Sequence, residues 1–343
     1  MISAASRYSR LAIYGCRLSD DSPATIRRCC ASLARMPPLS ILLDTDVGTD
    51  VDDAIAIALA LASPEIELRA VTTVSGDVTL RARIAKKLLD LGRQSAVPVA
   101  AGIREPILRQ RNFLWLGHEG KGIVAADEAL ALTAAHGVDL FIDTVLRERP
   151  HVVAIGPLSN LAVAIMKAPE VIEAIPHLTI MGGALGISED PTVPLVEYNL
   201  NGDAEAAQLV LDAGIPITLV PLDVTWHVRF TSTDLARLRQ SPSPLVQRLC
   251  DAMDIWWPVH RDFFAGERSY GADVVAFLHD PLALSVVFER SFVTMQRMRL
   301  RPAIVDGVFR LLPDPGAPEF EVAVEVDAPR FVEFLANRLL QLR

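Results

Sequence analysis

The 343 residues are 51% hydrophobic and 22% charged, a balance that supplies a sizeable core and excludes a disordered chain. A net charge of −9 with no block of Lys and Arg argues against nucleic acid as the main partner. No apolar run approaches the roughly eighteen residues that span a bilayer, and Cys16, Cys29, Cys30 and Cys250 have neither zinc-site nor disulfide-framework spacing, so a reducing, cytoplasmic setting without membrane contact is the expectation.

Residues 1–38 carry scattered Arg, Ser and Ala with few acids and no apolar periodicity. That composition suits a transit peptide; it also suits an upstream extension from a mis-called start, with Met36 opening MPPLSILLDTD, and Asp20 and Asp21 favour the second. Either way a poorly ordered segment with no part in function is expected, followed by one domain over residues 39–343.

From Leu39 short apolar runs alternate with helical segments, as in a βαβ architecture. SILLD reads as a strand and DDAIAIALALAS as the helix after it; IELRAVTTVS and VTLRARIAKKLLDLG repeat the pair, and VPVAAG is a short strand. HVVAIG precedes the helical LSNLAVAIMKA, HLTIMGG reads as a strand, DAEAAQLVLDAG as a helix and PITLVPLDV as a strand. Residues 232–265 read as helical with STD as a cap, and DPLALSVVFE as another helix. TMQRMRLRPAIV, GVFRLL and FEVAVEV read as antiparallel strands turning at DPG, and APRFVEFLANRLLQL closes the chain as an amphipathic helix. The assembly expected is an α/β fold: a mostly parallel, Rossmann-like open sheet with helices on both faces, extra helices and a small antiparallel element toward the C-terminus.

Five aspartates, Asp44, Asp46, Asp50, Asp52 and Asp53, fall between residues 44 and 53. Turn propensity and helix capping account for one or two of them. Repulsion among the rest calls for a cation, and carboxylate oxygens select a hard ion such as Ca²⁺ or Mg²⁺. In an open α/β sheet ligands bind beyond the carboxyl ends of the strands, and Asp44, Asp46, Asp77, the Ile155–Gly156 turn and Met181–Gly183 all fall at such ends.

Two later stretches add weight: VEYNLNGDAEAA, with Glu197 and Asn199, and FLHDPLAL, with His279 and Asp280. Together with the aspartate loop, VTTVSGD, GPLSNLA and MGG, their order resembles the nucleoside hydrolase family, the purine and pyrimidine nucleoside N-ribohydrolases, from about residue 39 to the C-terminus. The resemblance implies calcium-dependent hydrolysis of the N-glycosidic bond of ribonucleosides to base and ribose. It implies a Ca²⁺ site built from Asp46, Asp53, the carbonyl of Ile155 and Asp280, with metal-bound water deprotonated by Asp46. It also implies Asp52 on the ribose hydroxyls, Glu197 and Asn199 near the ring oxygen and 5′-hydroxyl, Met181 beneath the ribose, and His279 protonating the departing base from a pKa in the neutral range. A homodimer or homotetramer working in nucleoside salvage or catabolism is implied as well.

The chain departs from the family pattern D-x-D-P-G-x-D-D in having Val47 for Pro and two extra residues between Gly48 and the Asp pair, which leaves Asp50 as a further candidate ligand. Asp77 stands where an Asn often contacts ribose, and GHEGKG at residues 117–122 only approximates H-G-x-D-G-x-G, with His118 the matching candidate for the substrate. Two other functions compete. A Mg²⁺-dependent phosphatase of haloacid-dehalogenase type would use Asp44 as nucleophile and Asp46 as acid/base, but leaves EYN and HDP without a role. A nucleoside or sugar binder on the same scaffold would not need His279. Elsewhere, His136, His151 and His177 are expected at the surface or at helix ends, Trp256 and Trp257 in a core, and Tyr270 as a candidate base contact; Arg261 and Arg268 are expected to be solvated.

Overall fold

The computed structural model describes residues 37–263 and 271–343. The expected N-terminal extension, apart from Pro37 and Pro38, and the expectations for Tyr270 and Arg268 lie outside those residues.

Strand β1 (Leu39–Thr45) is followed by α1 (Asp52–Leu61), β2 (Ile66–Thr73), α2 (Val78–Leu91) and β3 (Val99–Ala101). The chain then crosses back through α3 (Gly137–Glu148) to β4 (His151–Ala154), α4 (Ser159–Lys167), α5 (Val171–Ala174) and β5 (Leu178–Met181). Helices α6 (Tyr198–Gly202) and α7 (Ala204–Leu211) lead to β6 (Ile217–Val220) and α8 (Leu222–Thr225). After β7 (Arg229–Thr231) come α9 (Ser232–Leu238), α10 (Pro244–Phe263), β8 (Val274–Phe277) and α11 (His279–Val286); β9 (Val293–Val305), β10 (Val308–Pro313), β11 (Glu319–Val326) and α12 (Ala328–Leu339) finish the fold.

Nine strands form one sheet in the order β10-β9-β11-β6-β5-β4-β1-β2-β3. From β3 to β6, and on to β11, every pairing is parallel. The order 3-2-1-4-5-6 reverses between β1 and β4, and such a switch point opens a crevice at the carboxyl ends of those strands. Continuous burial makes β1, β4, β5 and β6 apolar runs rather than alternating ones, as a sheet covered on both faces requires. Helix α1 is hidden along nearly its whole length: DDAIAIALA is buried from Asp52 to Ala60. An Ile or Leu covered this way contributes roughly 1.5–3 kcal/mol, which is what holds the charged end of the helix under the crevice.

The antiparallel strands toward the C-terminus are present as expected, β9 pairing with β10 and β11, and β11 joins them to the parallel sheet through β6. Two expectations need correction. The β9–β10 hairpin turns at Asp306–Gly307, both at positive φ, whereas DPG links β10 to β11 without pairing them; a two-residue hairpin needs two left-handed residues, which Asp-Gly provides. Residues 232–265 form two helices, broken at the SPSP stretch, with Thr231 and Asp234 making a capping box at the first. A two-stranded antiparallel sheet, β7 with β8, has no counterpart among the expected elements.

Candidate active site

The crevice at the switch point is a cavity of about 850 Å³. Its floor is the end of β1 and the start of α1, where Asp46, Asp50, Asp52 and Asp53 face Asp280 from α11. Carboxylate oxygens of Asp52, Asp53 and Asp280 lie within 4.8 Å of one another. All three side chains are buried, and burial followed by mutual repulsion pushes their carboxyl pKa values well above the usual range. Asp46 is raised too, first by burial and against the pull of Arg81, and Asp50 is pushed up to about 7 by burial and by Asp53 and Asp46.

Few partners relieve this crowding. Thr45 Oγ1 donates to Asp53, the amide of Asp53 to Asp52 at 3.1 Å, and the amide of Asp280 to Asp52 at 3.3 Å. No Lys or Arg lines the cavity among the described residues. An all-oxygen donor set, buried and mutually repelling, fits a hard divalent cation and lacks the His or Cys of a softer-metal site. Of the four expected ligands, Asp53 and Asp280 belong to the tight group; Asp46 and Ile155 line the same cavity, and Asp52 joins the group beside its expected place on the ribose.

The opposite wall is built from β4, β5 and α6. Asn199 Nδ2 lies 3.2 Å from the carbonyls of both Ile155 and Met181 and 3.5 Å from Met181 Sδ, so one side chain spans two strand ends. Glu197 caps α6, accepting from the amides of Asn199 at 2.5 Å, Leu200 at 2.9 Å and, from outside the helix, Gly183 at 3.0 Å. Gly156 is required where β4 passes the aspartate loop: a Cβ there would stand 2.9 Å from both the amide nitrogen and Oδ1 of Asp46.

His279 begins α11 at the cavity wall, with Nδ1 2.7 Å from Thr225 Oγ1. Burial lowers its pKa to about 3, so the expectation of a neutral-range value is corrected: the ring is a neutral imidazole whose tautomer Thr225 helps to set. Trp226 stacks beside it at 6.4 Å and Trp256 completes the aromatic side, packed at 5.4 Å on His118. Trp256 is thus core and cavity wall at once. Trp226, Leu222 and the 191–196 segment were missed by sequence reasoning; the first two follow β6, where the crevice rule would have found them had PITLVPLDV not been read as one strand.

Two expected substrate residues lie elsewhere. Asp77 is exposed and caps α2, accepting from the amide of Leu80 at 3.0 Å. His118 does not line the cavity; its Nε2 meets the carbonyl of Thr49 at 2.7 Å and braces the aspartate loop from behind. Asp44 is likewise hidden within β1, receiving Thr72 Oγ1 and Asn160 Nδ2, the latter at 2.7 Å. An inaccessible Asp44 removes the nucleophile that the phosphatase alternative needs. His136 caps α3 as expected, but His151 is buried rather than at the surface.

Comparison with known proteins agrees with this geometry. Residues 41–333 match the model of the family described as inosine-uridine preferring nucleoside hydrolase. The chain is 33% identical over 321 residues to the pyrimidine-specific ribonucleoside hydrolase RihA of Salmonella arizonae, covering 88% of this chain and 98% of that one. It is 37% identical over 251 residues to an uncharacterized protein of Schizosaccharomyces pombe, covering 71% and 78%. Among solved structures, the purine-preferring ribonucleoside hydrolase from Gardnerella vaginalis superposes with a TM-score of 0.76 at 29% identity, covering 88% of this chain and 98% of that one. With its carboxylate crevice, its EYN and HDP segments and this match along most of its length, the chain belongs to the nucleoside hydrolase family and is an N-glycosyl hydrolase of ribonucleosides.

Proposed function

We propose that the chain hydrolyses ribonucleosides in a calcium-dependent reaction, with Asp46 as the general base toward the attacking water. The observation that carries this reading is the convergence of Asp52, Asp53 and Asp280 under a cavity whose lining also presents a neutral histidine and two tryptophans. Ca²⁺ held by Asp46, Asp53, Asp280 and the Ile155 carbonyl, with Asp50 or Asp52 as a further donor, would supply charge neutralisation and Lewis acidity toward water and sugar hydroxyls.

The remaining roles belong to this chain's own groups. A cationic, oxocarbenium-like sugar develops as the C–N bond breaks, and the negative ends of Glu197 and Asp52 with the Met181 sulfur offer it a favourable field. Asn199 fixes the two carbonyls that shape the ribose end. His279, neutral at physiological pH, donates a hydrogen bond to the departing base in the tautomer where Thr225 donates to Nδ1 and the Nε2 proton faces the cavity. Trp226 and Trp256 present apolar faces on which a planar base can stack. A chain acting as a binder alone would not need a base and a donor lining one cavity.

Ribose release from a panel of purine and pyrimidine ribonucleosides and p-nitrophenyl riboside, with calcium and after chelation, tests the reading. Release that disappears on chelation and returns with calcium is the expected result. Confirmed calcium binding with no release from any substrate would favour the binder. A homodimer or homotetramer is part of the proposal on family resemblance, and light scattering on the purified chain checks it.

A further inference from the structure

Arg81 is the feature of the site that the reaction does not use. It projects from α2 and is completely buried. Its Nε donates to the carbonyl of Ser75 at 2.7 Å and its Nη2 to Thr49 Oγ1 at 3.1 Å, while Nη2 also stands 3.9 Å from Asp46 Oδ2. The guanidinium lies 5.4 Å from the ring centre of Trp115, and Nη1 is buried without a hydrogen-bond partner. Among the described residues no other Lys or Arg pairs with any of the five loop aspartates or Asp280.

A guanidinium is costly to bury and stays charged, so it persists inside a protein only where a stable negative field and fixed acceptors hold it. The field is the aspartate loop. Around Thr49, the residue that receives Arg81, the chain adds two more braces: His118 Nε2 on its carbonyl at 2.7 Å and Glu119 Oε1 at 3.4 Å from its hydroxyl. Glu119 is itself held by the amides of Leu116 at 2.6 Å and Gly117 at 2.7 Å. The lengthened stretch from Gly48 to Val51 and the GHEG segment thus meet at one residue.

We propose that Arg81 is a positioning residue, a fixed internal cation that holds Asp46 and the 46–53 loop in their ion-ready arrangement before a divalent cation binds. The inference rests on the proposed cation site and adds a division of labour: Arg81 offsets part of the carboxylate charge permanently, and the exchangeable ion offsets the rest. Calcium binding then needs little rearrangement of the loop.

The test uses the full chain with Arg81→Met, which keeps bulk and loses charge, and Arg81→Lys, which keeps charge and loses the fork. Melting temperature in EDTA and in saturating CaCl₂, equilibrium dialysis with calcium, and kcat and KM are measured on each. In EDTA, Arg81→Met is expected to melt about 5–10 °C below wild type. Its calcium-dependent rise should be at least about twice that of wild type, because the ion now replaces the missing charge. Arg81→Lys should keep a rise close to wild type, and kcat should fall in Arg81→Met with KM changing less than about twofold. An equal drop with and without calcium would reduce Arg81 to packing, and Arg81→Lys behaving like Arg81→Met would remove the charge from the explanation. If Arg81→Met does not fold, Arg81→Gln removes the charge while keeping a polar amide and should likewise enlarge the calcium-dependent rise; an unchanged rise overturns the inference. Absence of calcium binding to wild type would sink the cation reading itself, and the EDTA melting temperatures of Arg81→Lys and Arg81→Met would then decide the counter-charge alone.

Discussion

Strands β4 and β5 bury ionisable groups at both ends, and the two ends treat them differently. At the amino end, His151 Nε2 meets Thr179 Oγ1 at 2.8 Å and His177 Nε2 meets Thr218 Oγ1 at 2.8 Å, with the two rings 5.0 Å apart. Burial drives the His151 pKa down to about 3, so that end solves its electrostatics by staying neutral. At the carboxyl end, Ile155 and Met181 open onto carboxylates that remain crowded, raised in pKa and short of partners. A buried charge problem settled within the chain marks structure; one left unsettled marks a candidate site.

The sharpest way to break that comparison is at the carboxyl end. Asp46→Ala should cut kcat/KM by about 10⁴-fold, since it removes a proposed ligand and the proposed base together; isothermal calorimetry should show calcium affinity falling in parallel. A variant that loses turnover with calcium affinity intact would separate the two roles. His279→Ala should cost about 10²-fold on natural nucleosides and much less on p-nitrophenyl riboside, whose leaving group needs no help. Equal losses on both substrates would take His279 out of base departure.

At the amino end the effect is on stability. His151 has a folded pKa below its unfolded value, so the unfolded chain binds more protons as pH falls from about 6.5 toward 3, and stability is lost over that window. Between pH 6.5 and 4.5 the loss should be about 2 kcal/mol from this residue. His151→Gln should flatten the curve of melting temperature against pH there, and parallel curves would remove His151 as the cause. Smallest is Asp77→Ala: about 1 kcal/mol of stability through the lost cap, with KM unchanged. A several-fold rise in KM would return Asp77 to the ribose.

What could be read from residues alone follows from range. The aspartate loop, EYN and HDP are local patterns whose chemistry is fixed by neighbours in sequence, and the alternation of apolar runs with helices announced the parallel sheet. Arg81 and the true place of His118 depend on packing between segments distant in sequence, which local pattern does not display, whereas Trp226 was lost to a misplaced strand end. Asp77 misled because strand-end position is shared by ligand contacts and helix caps, and only the direction of the side chain separates them. The Asp306–Gly307 hairpin carried its signal openly, but DPG competed for the same role.

Asn160 sits where the motif GPLSNLA meets the sheet. It donates to Asp44 Oδ1 at 2.7 Å and the Thr73 carbonyl at 3.1 Å and accepts from the Ile103 amide at 2.8 Å, and a Cβ at Gly102 would stand 2.2 Å from its Oδ1. One amide therefore rivets the ends of β1 and β2 to the segment leaving β3. The 184–196 wall, by contrast, hangs from side chains: Asp223 accepts from the amides of Leu185, Ile187 and Ser188, and Trp226 Nε1 donates to Thr192 Oγ1 at 3.1 Å. The crevice floor and the 184–196 wall are thereby anchored separately, so a substitution that shifts the wall can change the shape of the cavity without disturbing the strand ends that carry the aspartates.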